Sequence, residues 1–263
     1  MTDILVAKDV SKTYFDTVAR DDVVALSGVS LSVAAHDFVS VIGPSGCGKS
    51  TFLRIVAGLD TPTSGEILVS GKKVSGPGAD RGMVFQEYAL LPWKTTETNV
   101  EFGLRLKGVP KDERRKITHR FIELVGLKGF ENKYPHQLSG GMRQRAAVAR
   151  VLANNPTVLL MDEPFAAVDA MTRQRLQEEL TAIAAAERTT VLFVTHAIDE
   201  AVFLSNRVVA LSGRPGRVIA DIRIDLPRPR RWEEMMRDAR FIAYRDELTR
   251  CIHGDAPAYR DHA

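Results

Sequence analysis

Short apolar runs recur along the chain at positions 38–42, 83–85, 158–161, 191–194 and 208–211. They do not alternate with polar residues, which is the pattern of buried parallel strands covered on both faces. Positions 5–33 and 65–74 are also strand-like but rich in turns. The middle of the chain follows a different period. Over 112–125, Ile117, Phe121, Leu124 and Val125 share one helical face, and Gly126 stands where a C-cap belongs. Positions 142–153, rich in alanine and arginine, read as a second helix. Leu226-Pro227-Arg228-Pro229-Arg230-Arg231 reads as a stiff connector, leading to a final helix over 232–251 and a polar tail. The pattern predicts an α/β core with a helical insertion between its strands.

Composition adds limits. A chain of 263 residues with 44% hydrophobic and 26% charged residues is long enough to bury one full core. A net charge of +3 is too mild to suggest nucleic acid as a main partner. The two cysteines, Cys47 and Cys251, form no disulfide framework or metal spacing, as suits a reducing compartment. The first ten residues carry Asp3, Lys8 and Asp9 and no apolar signal region, and no apolar run approaches the ~20 residues that span a bilayer. A membrane role is therefore expected to come through a partner.

The chemistry concentrates in two places. Gly43-Pro44-Ser45-Gly46-Cys47-Gly48-Lys49-Ser50-Thr51 lies between an apolar run and a helical segment, the strand–turn–helix setting of a Walker A phosphate loop. Its glycines let successive N–H groups turn toward phosphate oxygens, and the helix start adds a partial positive charge. Lys49 is expected to reach the β- and γ-phosphates of ATP, and the Ser50 hydroxyl to ligate Mg²⁺. Val158-Leu159-Leu160-Met161-Asp162-Glu163-Pro164 is an apolar strand ending in two acids. Beside a phosphate loop, Asp162 is expected to hold Mg²⁺ directly or through water, and Glu163 to polarise the attacking water as general base.

Leu138-Ser139-Gly140-Gly141-Met142-Arg143-Gln144-Arg145 closely resembles the signature motif of ATP-binding cassette (ABC) ATPases, with Met142 in place of the usual glutamine. Ser139, Gly140 and Gly141 at a helix start make a second anion site. The resemblance implies a P-loop α/β cassette: a mostly parallel sheet with an N-terminal antiparallel β portion, plus an inserted helical subdomain. In domain terms, 1–263 is one cassette, with a nucleotide-binding core of 1–87 and 156–225, a signature subdomain of 88–155 and a C-terminal connector, helix and tail of 226–263. It also implies a head-to-tail homodimer in which each signature faces the other subunit's phosphate loop. Gln86 falls at the Q-loop, where a glutamine contacts Mg²⁺ or water and senses the transmembrane partner. Asp169, in Ala166-Ala167-Val168-Asp169, falls at the D-loop dimer contact, and His196 at the switch histidine that bonds the γ-phosphate. Tyr14 suits the aromatic that stacks on adenine, although it is also compatible with a core position and Phe15 is adjacent. Ala197 stands where the family commonly has aspartate. His36, His119 and His136 fall in no partner pattern.

Leu90-Leu91-Pro92-Trp93, the segment 199–208, Arg214-Pro215-Gly216-Arg217 and Asp225-Leu226-Pro227-Arg228 are similar to the nitrate/sulfonate/taurine branch of bacterial importers. That resemblance implies a peripheral subunit on the cytoplasmic face of the membrane. Its partners would be integral membrane permease subunits and, indirectly, an extracytoplasmic solute-binding protein. Leu90, Leu91 and Trp93 suit either a permease-docking surface or packing within the helical subdomain. Two other functions compete: a soluble cassette ATPase of DNA repair or translation, and a regulatory module that binds nucleotide without hydrolysing it.

Overall fold

Residue alternation inside the central strands sets the layering. The computed structural model describes residues 3–18, 20–166 and 168–254. Its larger sheet contains β3 (Phe38–Ile42), β6 (Arg81–Val84), β7 (Val158–Asp162), β8 (Thr190–Val194), β9 (Arg207–Leu211) and β10 (Val218–Arg223), in the order β10-β9-β3-β8-β7-β6. All its neighbouring strands are parallel except β10, which runs antiparallel to β9. Successive side chains of a strand point to opposite faces. Val39, Val41, Leu160, Leu192 and Val209 accordingly enter one core, while Phe38, Ile42, Met161, Phe193 and Val208 enter the other.

The first core lies beneath a four-stranded antiparallel sheet. Its strands β1 (Asp3–Asp16), β2 (Asp21–Ala34), β4 (Ser64–Val69) and β5 (Lys72–Lys73) are ordered β2-β1-β4-β5. Helix α1 (Lys49–Ala57) is buried in the same core through Phe52, Leu53, Ile55 and Val56. The second core is covered by helices, as double-sided burial of parallel strands requires.

The helices between β6 and β7 belong to one insertion: α2 (Thr96–Val100), α3 (Phe102–Leu106), α4 (Lys111–Leu124) and α5 (Gly140–Leu152), with a 3-10 turn at Pro135–Gln137 before α5. Asp112 and Glu113 in the first turn of α4 suit its helix dipole, and Phe121, Ile122 and Val125 carry its buried face. Then come α6 (Ala170–Ala186), α7 (Ile198–Leu204), α8 (Trp232–Met235) and α9 (Ala239–His253).

The expected single helix over 232–251 is in fact two. Asp238 breaks it: its carboxylate accepts from the Arg240 N–H at 2.8 Å and starts α9 as an N-cap. The connector is also more than a spacer. Arg230, 3% exposed, donates to the carbonyls of Val202, Phe203 and Ser205 at the end of α7. Arg228 adds a bond to Leu204 O at 2.6 Å. Cations complement the carbonyl end of a helix, and burial pushes the Arg230 guanidinium down to about 10. Trp232 stacks on Phe203 with ring centroids 4.2 Å apart. The polar tail beyond Gly254 lies outside the described residues. Among the described residues no helix is long and apolar enough to cross a membrane.

Candidate nucleotide-binding site

The carboxyl ends of β3, β6, β7 and β8 converge, which is where parallel α/β sheets place their ligands. Register aligns them. Val41 and Asp162 both pair with Val194, and Val84 pairs with Met161. The phosphate loop, Gln86, Asp162 with Glu163, and His196 thus leave the sheet side by side.

The loop after β3 turns through Gly46 at φ +77° and Gly48 at φ +103°. Gly48 has a second constraint: a Cβ there would stand 2.7 Å from Leu26 Cδ2 and 2.8 Å from Ala25 O. As the N-cap of α1 it offers no side-chain oxygen, so no capping group occupies the first-turn N–H groups. Pro44, Ser45 and Gly46 are exposed and Cys47 is buried. Lys49 is 5% exposed; its Nζ donates to Gly43 O at 2.8 Å and Pro44 O at 3.0 Å. With Cys47 Sγ at 4.0 Å, the hydrogen-bond partners of this buried amine are two carbonyls and a thiol, none of them a carboxylate. Burial pushes the Cys47 thiol up, against the pull of Lys49, so this cysteine behaves as a packed thiol.

Ser50 Oγ donates to Asp162 Oδ1 at 2.9 Å. Burial raises the Asp162 carboxyl, and the neighbouring Glu163 charge adds to the rise, while the Ser50 bond opposes it. A hydroxyl and an under-compensated carboxylate form an oxygen-only pair of the kind that suits Mg²⁺. The residues present therefore fit that ion.

Glu163 has φ +42°, an uncommon conformation for a residue with a Cβ. Its N–H bonds to Val194 O at 2.9 Å, extending the β7–β8 ladder by one residue and turning the side chain toward the next strand end. There Glu163 Oε2 lies 3.0 Å from His196 Nδ1. With the carboxylate ionised, Nδ1 carries the proton and Nε2 remains available.

Thr195 and Glu200 were not singled out from the sequence, yet they back His196. The signal available was a carboxylate beside the apolar run Ala201-Val202-Phe203-Leu204.

Tyr14 is 38% exposed and so outside the core. Its hydroxyl donates to Asp60 Oδ2 at 2.6 Å and also meets Thr51, which ties the β1–β2 hairpin to α1. Lys12 Nζ sits 4.8 Å from the Tyr14 ring centroid, covering one ring face. Phe15 is 64% exposed and, as the next residue on a strand, points to the other side.

Gln86 is exposed just past β6 and lines a groove of about 630 Å³ with Glu87, Tyr88, Leu90, Pro135 and Arg143. The apolar residues beyond it divide. Leu90 packs on the second core, whereas Trp93 is 71% exposed. Buried Asn99 shapes this segment, bonding both the N–H and the carbonyl of Leu91 and the carbonyls of Lys94 and Thr95.

The remaining candidates lie at helix starts. Ser139 caps α5, its Oγ accepting from Met142 N at 3.3 Å, with Gly140 and Gly141 in the first turn. Asp169 caps α6 through Thr172 N at 3.0 Å, and these bonds hold its carboxyl below the usual range. Ala167 lies outside the described residues. Of the other histidines, His36 Nδ1 meets Arg188 O, His119 bonds Glu97 at 3.0 Å, and His136 stacks on Tyr134.

Comparison with known proteins places this arrangement. The family model described as ABC transporter matches residues 26–166. An uncharacterized ABC transporter ATP-binding protein of Methanocaldococcus jannaschii is 61% identical over 206 residues, covering 78% of this chain and 77% of that protein. The nitrate import ATP-binding protein NrtD of Synechocystis is 48% identical over 240 residues, covering 89% of this chain and 90% of the relative. Among solved structures, the dimeric post-hydrolysis state of an ATP-binding cassette bound to ADP and phosphate superposes with a TM-score of 0.74 at 35% identity. It covers 85% of this chain and all of that one.

Proposed function

Because this chain belongs to the ABC transporter family, we propose that it is the ATP-hydrolysing subunit of a bacterial importer for a small anion or organic solute such as nitrate, sulfonate or taurine. The chain is an ABC-type ATPase. The likeness over nearly its whole length to a nitrate-import cassette carries the importer assignment. In this reading it works as a homodimer on the cytoplasmic face of the membrane. Permease subunits dock against the groove lined by Gln86 and Pro135, and Trp93, exposed further along the same segment, adds apolar surface. Selectivity resides in the permease and an extracytoplasmic binding protein.

The chemistry follows from the strand ends. The N–H groups from Gly43 to Thr51 and the Lys49 ammonium hold the phosphates of ATP, with the Tyr14 ring on the adenine. Mg²⁺, when bound at Ser50, Asp162 and Gln86, neutralises phosphate charge. Glu163 orients the attacking water and accepts its proton. His196, held at Nδ1 by Glu163, turns Nε2 toward the γ-phosphate. Ser139, Gly140 and Gly141 of the second subunit close the site, and Asp169 lies at the dimer contact. Residues 1–87 and 156–225 form the nucleotide-binding core, 88–155 carry the signature and share the permease groove with Gln86, and within 226–263 Arg228, Arg230 and Trp232 brace α7.

Glu163→Gln should keep nucleotide binding while lowering turnover by about 10²–10⁴-fold and trapping an ATP-bound dimer; turnover at the wild-type rate would remove Glu163 as the base. For the importer assignment, the tagged chain is purified with its partners from detergent-extracted membranes. A polytopic permease, with uptake lost in Glu163→Gln, supports it. Only ribosomes or DNA-repair proteins as partners would replace it with a soluble, non-transport cassette.

A further inference from the structure

Glu200, on α7, is 8% exposed and carries two well-directed bonds. Oε1 accepts from Gln177 Nε2 of α6 at 2.5 Å, and Oε2 accepts from Thr195 Oγ1. Thr195 is 2% exposed, and its Oγ1 also accepts from the Ala197 N–H at 3.0 Å. Ala197 is the N-cap of α7 and brings no capping side chain of its own, and its N–H is taken up by the Thr195 hydroxyl. The residue between Thr195 and Ala197 is His196. One carboxylate therefore fixes the backbone on both sides of the histidine, while Thr195 N is anchored to Val41 O at 3.2 Å on the phosphate-loop strand.

The network continues toward the other end of α6. Arg173 acts on the Glu200 charge and donates to Val168 O at 2.8 Å, one residue before the helix cap Asp169. Burial pushes the Glu200 carboxyl up, with Thr195, Gln177, Arg173 and His196 opposing. A buried carboxylate that is costly to hold and bonded on both oxygens is a strong constraint on whatever it touches.

We propose that Glu200 is a positioning residue for ATP hydrolysis. Acting through Thr195, it fixes His196 against Glu163 and couples that placement to the start of α6. The inference rests on the reading of Glu163 and His196 as hydrolytic groups. A neutral amide should substitute well. In Glu200→Gln, Oε1 can accept from Thr195, and once the Gln177 amide turns over, the new NH₂ can donate to Gln177 Oε1, which has no partner in its present orientation.

The test is steady-state hydrolysis by the full chain, with ATP affinity measured alongside. Glu200→Ala should lower kcat by about 10–100-fold, the scale of a small misplacement of a reacting group, with KM for ATP within about threefold. Glu200→Gln should recover most of the loss. Thr195→Val, nearly isosteric, should match Glu200→Ala, and carries the test if that variant fails to fold. In a His196→Ala background, adding Glu200→Ala should cost less than about twofold, because the two act as a unit. A wild-type kcat in Glu200→Ala and Thr195→Val would overturn the proposal. So would a full additional loss in the His196→Ala background, which marks a general structural role. Wild-type turnover in Glu163→Gln or His196→Ala would instead strike the underlying hydrolytic reading.

Discussion

Two helices of this chain begin with glycines and a serine, and they are built in opposite ways. At the start of α1 the N-cap Gly48 has a left-handed backbone and no capping side chain, and a buried lysine waits beneath. At the start of α5 the N-cap Ser139 is extended and its hydroxyl is already bonded to Met142 N. The cation nearby, Arg143, is engaged with Leu138 O at 2.7 Å. The first turn is a ready polyanion site. The second is a finished helix cap whose Oγ accepts from Met142 N and keeps its O–H free to donate to an anion. In the proposed head-to-tail dimer, nucleotide binding belongs to one molecule and closure over the γ-phosphate to two, so the second turn responds only when a partner brings the ligand.

Lys49→Ala bears hardest on the first half of that contrast. Bonds to a charged group are worth roughly 1.5–3 kcal/mol, so the affinity of the isolated chain for ATP should fall by about 10–100-fold. Titration with a fluorescent ATP analogue reads this directly, and unchanged affinity would mean the α1 turn is not the phosphate site.

Gly141→Ala addresses the second half. A Cβ at Gly141 would stand 2.8 Å from Thr172 Cγ2 on α6, so this glycine allows two helices to approach. Overpacking of this kind costs about 1–3 kcal/mol. The melting temperature should drop while ATP affinity of the single chain stays put, and Thr172→Ser, which removes the offending methyl, should restore most of the stability. No recovery would mean that Gly141 is required for some reason other than that approach.

The same contrast explains what could be read from the sequence. The phosphate loop, the acid-ended strand and the five apolar strands are local: each is written in three to nine consecutive residues. What the sequence left unread depends on partners distant in the chain. Strand β10 exists because Val209 and its neighbours offer an edge for 218–223 to pair with. The Arg228–Arg230 stretch looked like a spacer because basic residues between prolines are normally solvated; only the carbonyl end of α7, more than twenty residues earlier, draws Arg230 inside. Glu200 was legible only as part of the branch-like segment 199–208 and not as a support for His196, since that role needs Gln177 from α6 and the Thr195 hydroxyl in place. Trp93 and Leu90, three positions apart in one apolar stretch, take different fates for the same reason: Leu90 meets the core and Trp93 does not.

Ser139→Ala is the mildest change and the sharpest division between the two turns. Loss of an N-cap hydroxyl costs about 1 kcal/mol, so a small fall in melting temperature is expected. Because Ser139 caps α5, on the insertion, and Lys49 starts α1, in the core, affinity of the single chain for ATP should not move. ATP-driven dimerisation should move, since in the proposed head-to-tail dimer the Ser139 O–H is the donor offered to the γ-phosphate held by the second subunit. Sedimentation of the Ser139→Ala, Glu163→Gln double variant against Glu163→Gln alone isolates that step from turnover: a weaker ATP-dependent dimer is the expected result. If the serine change instead weakened ATP binding to the monomer and left dimerisation untouched, the signature turn would belong to the same chain's phosphate site. The division into a one-molecule site and a two-molecule site would then fall.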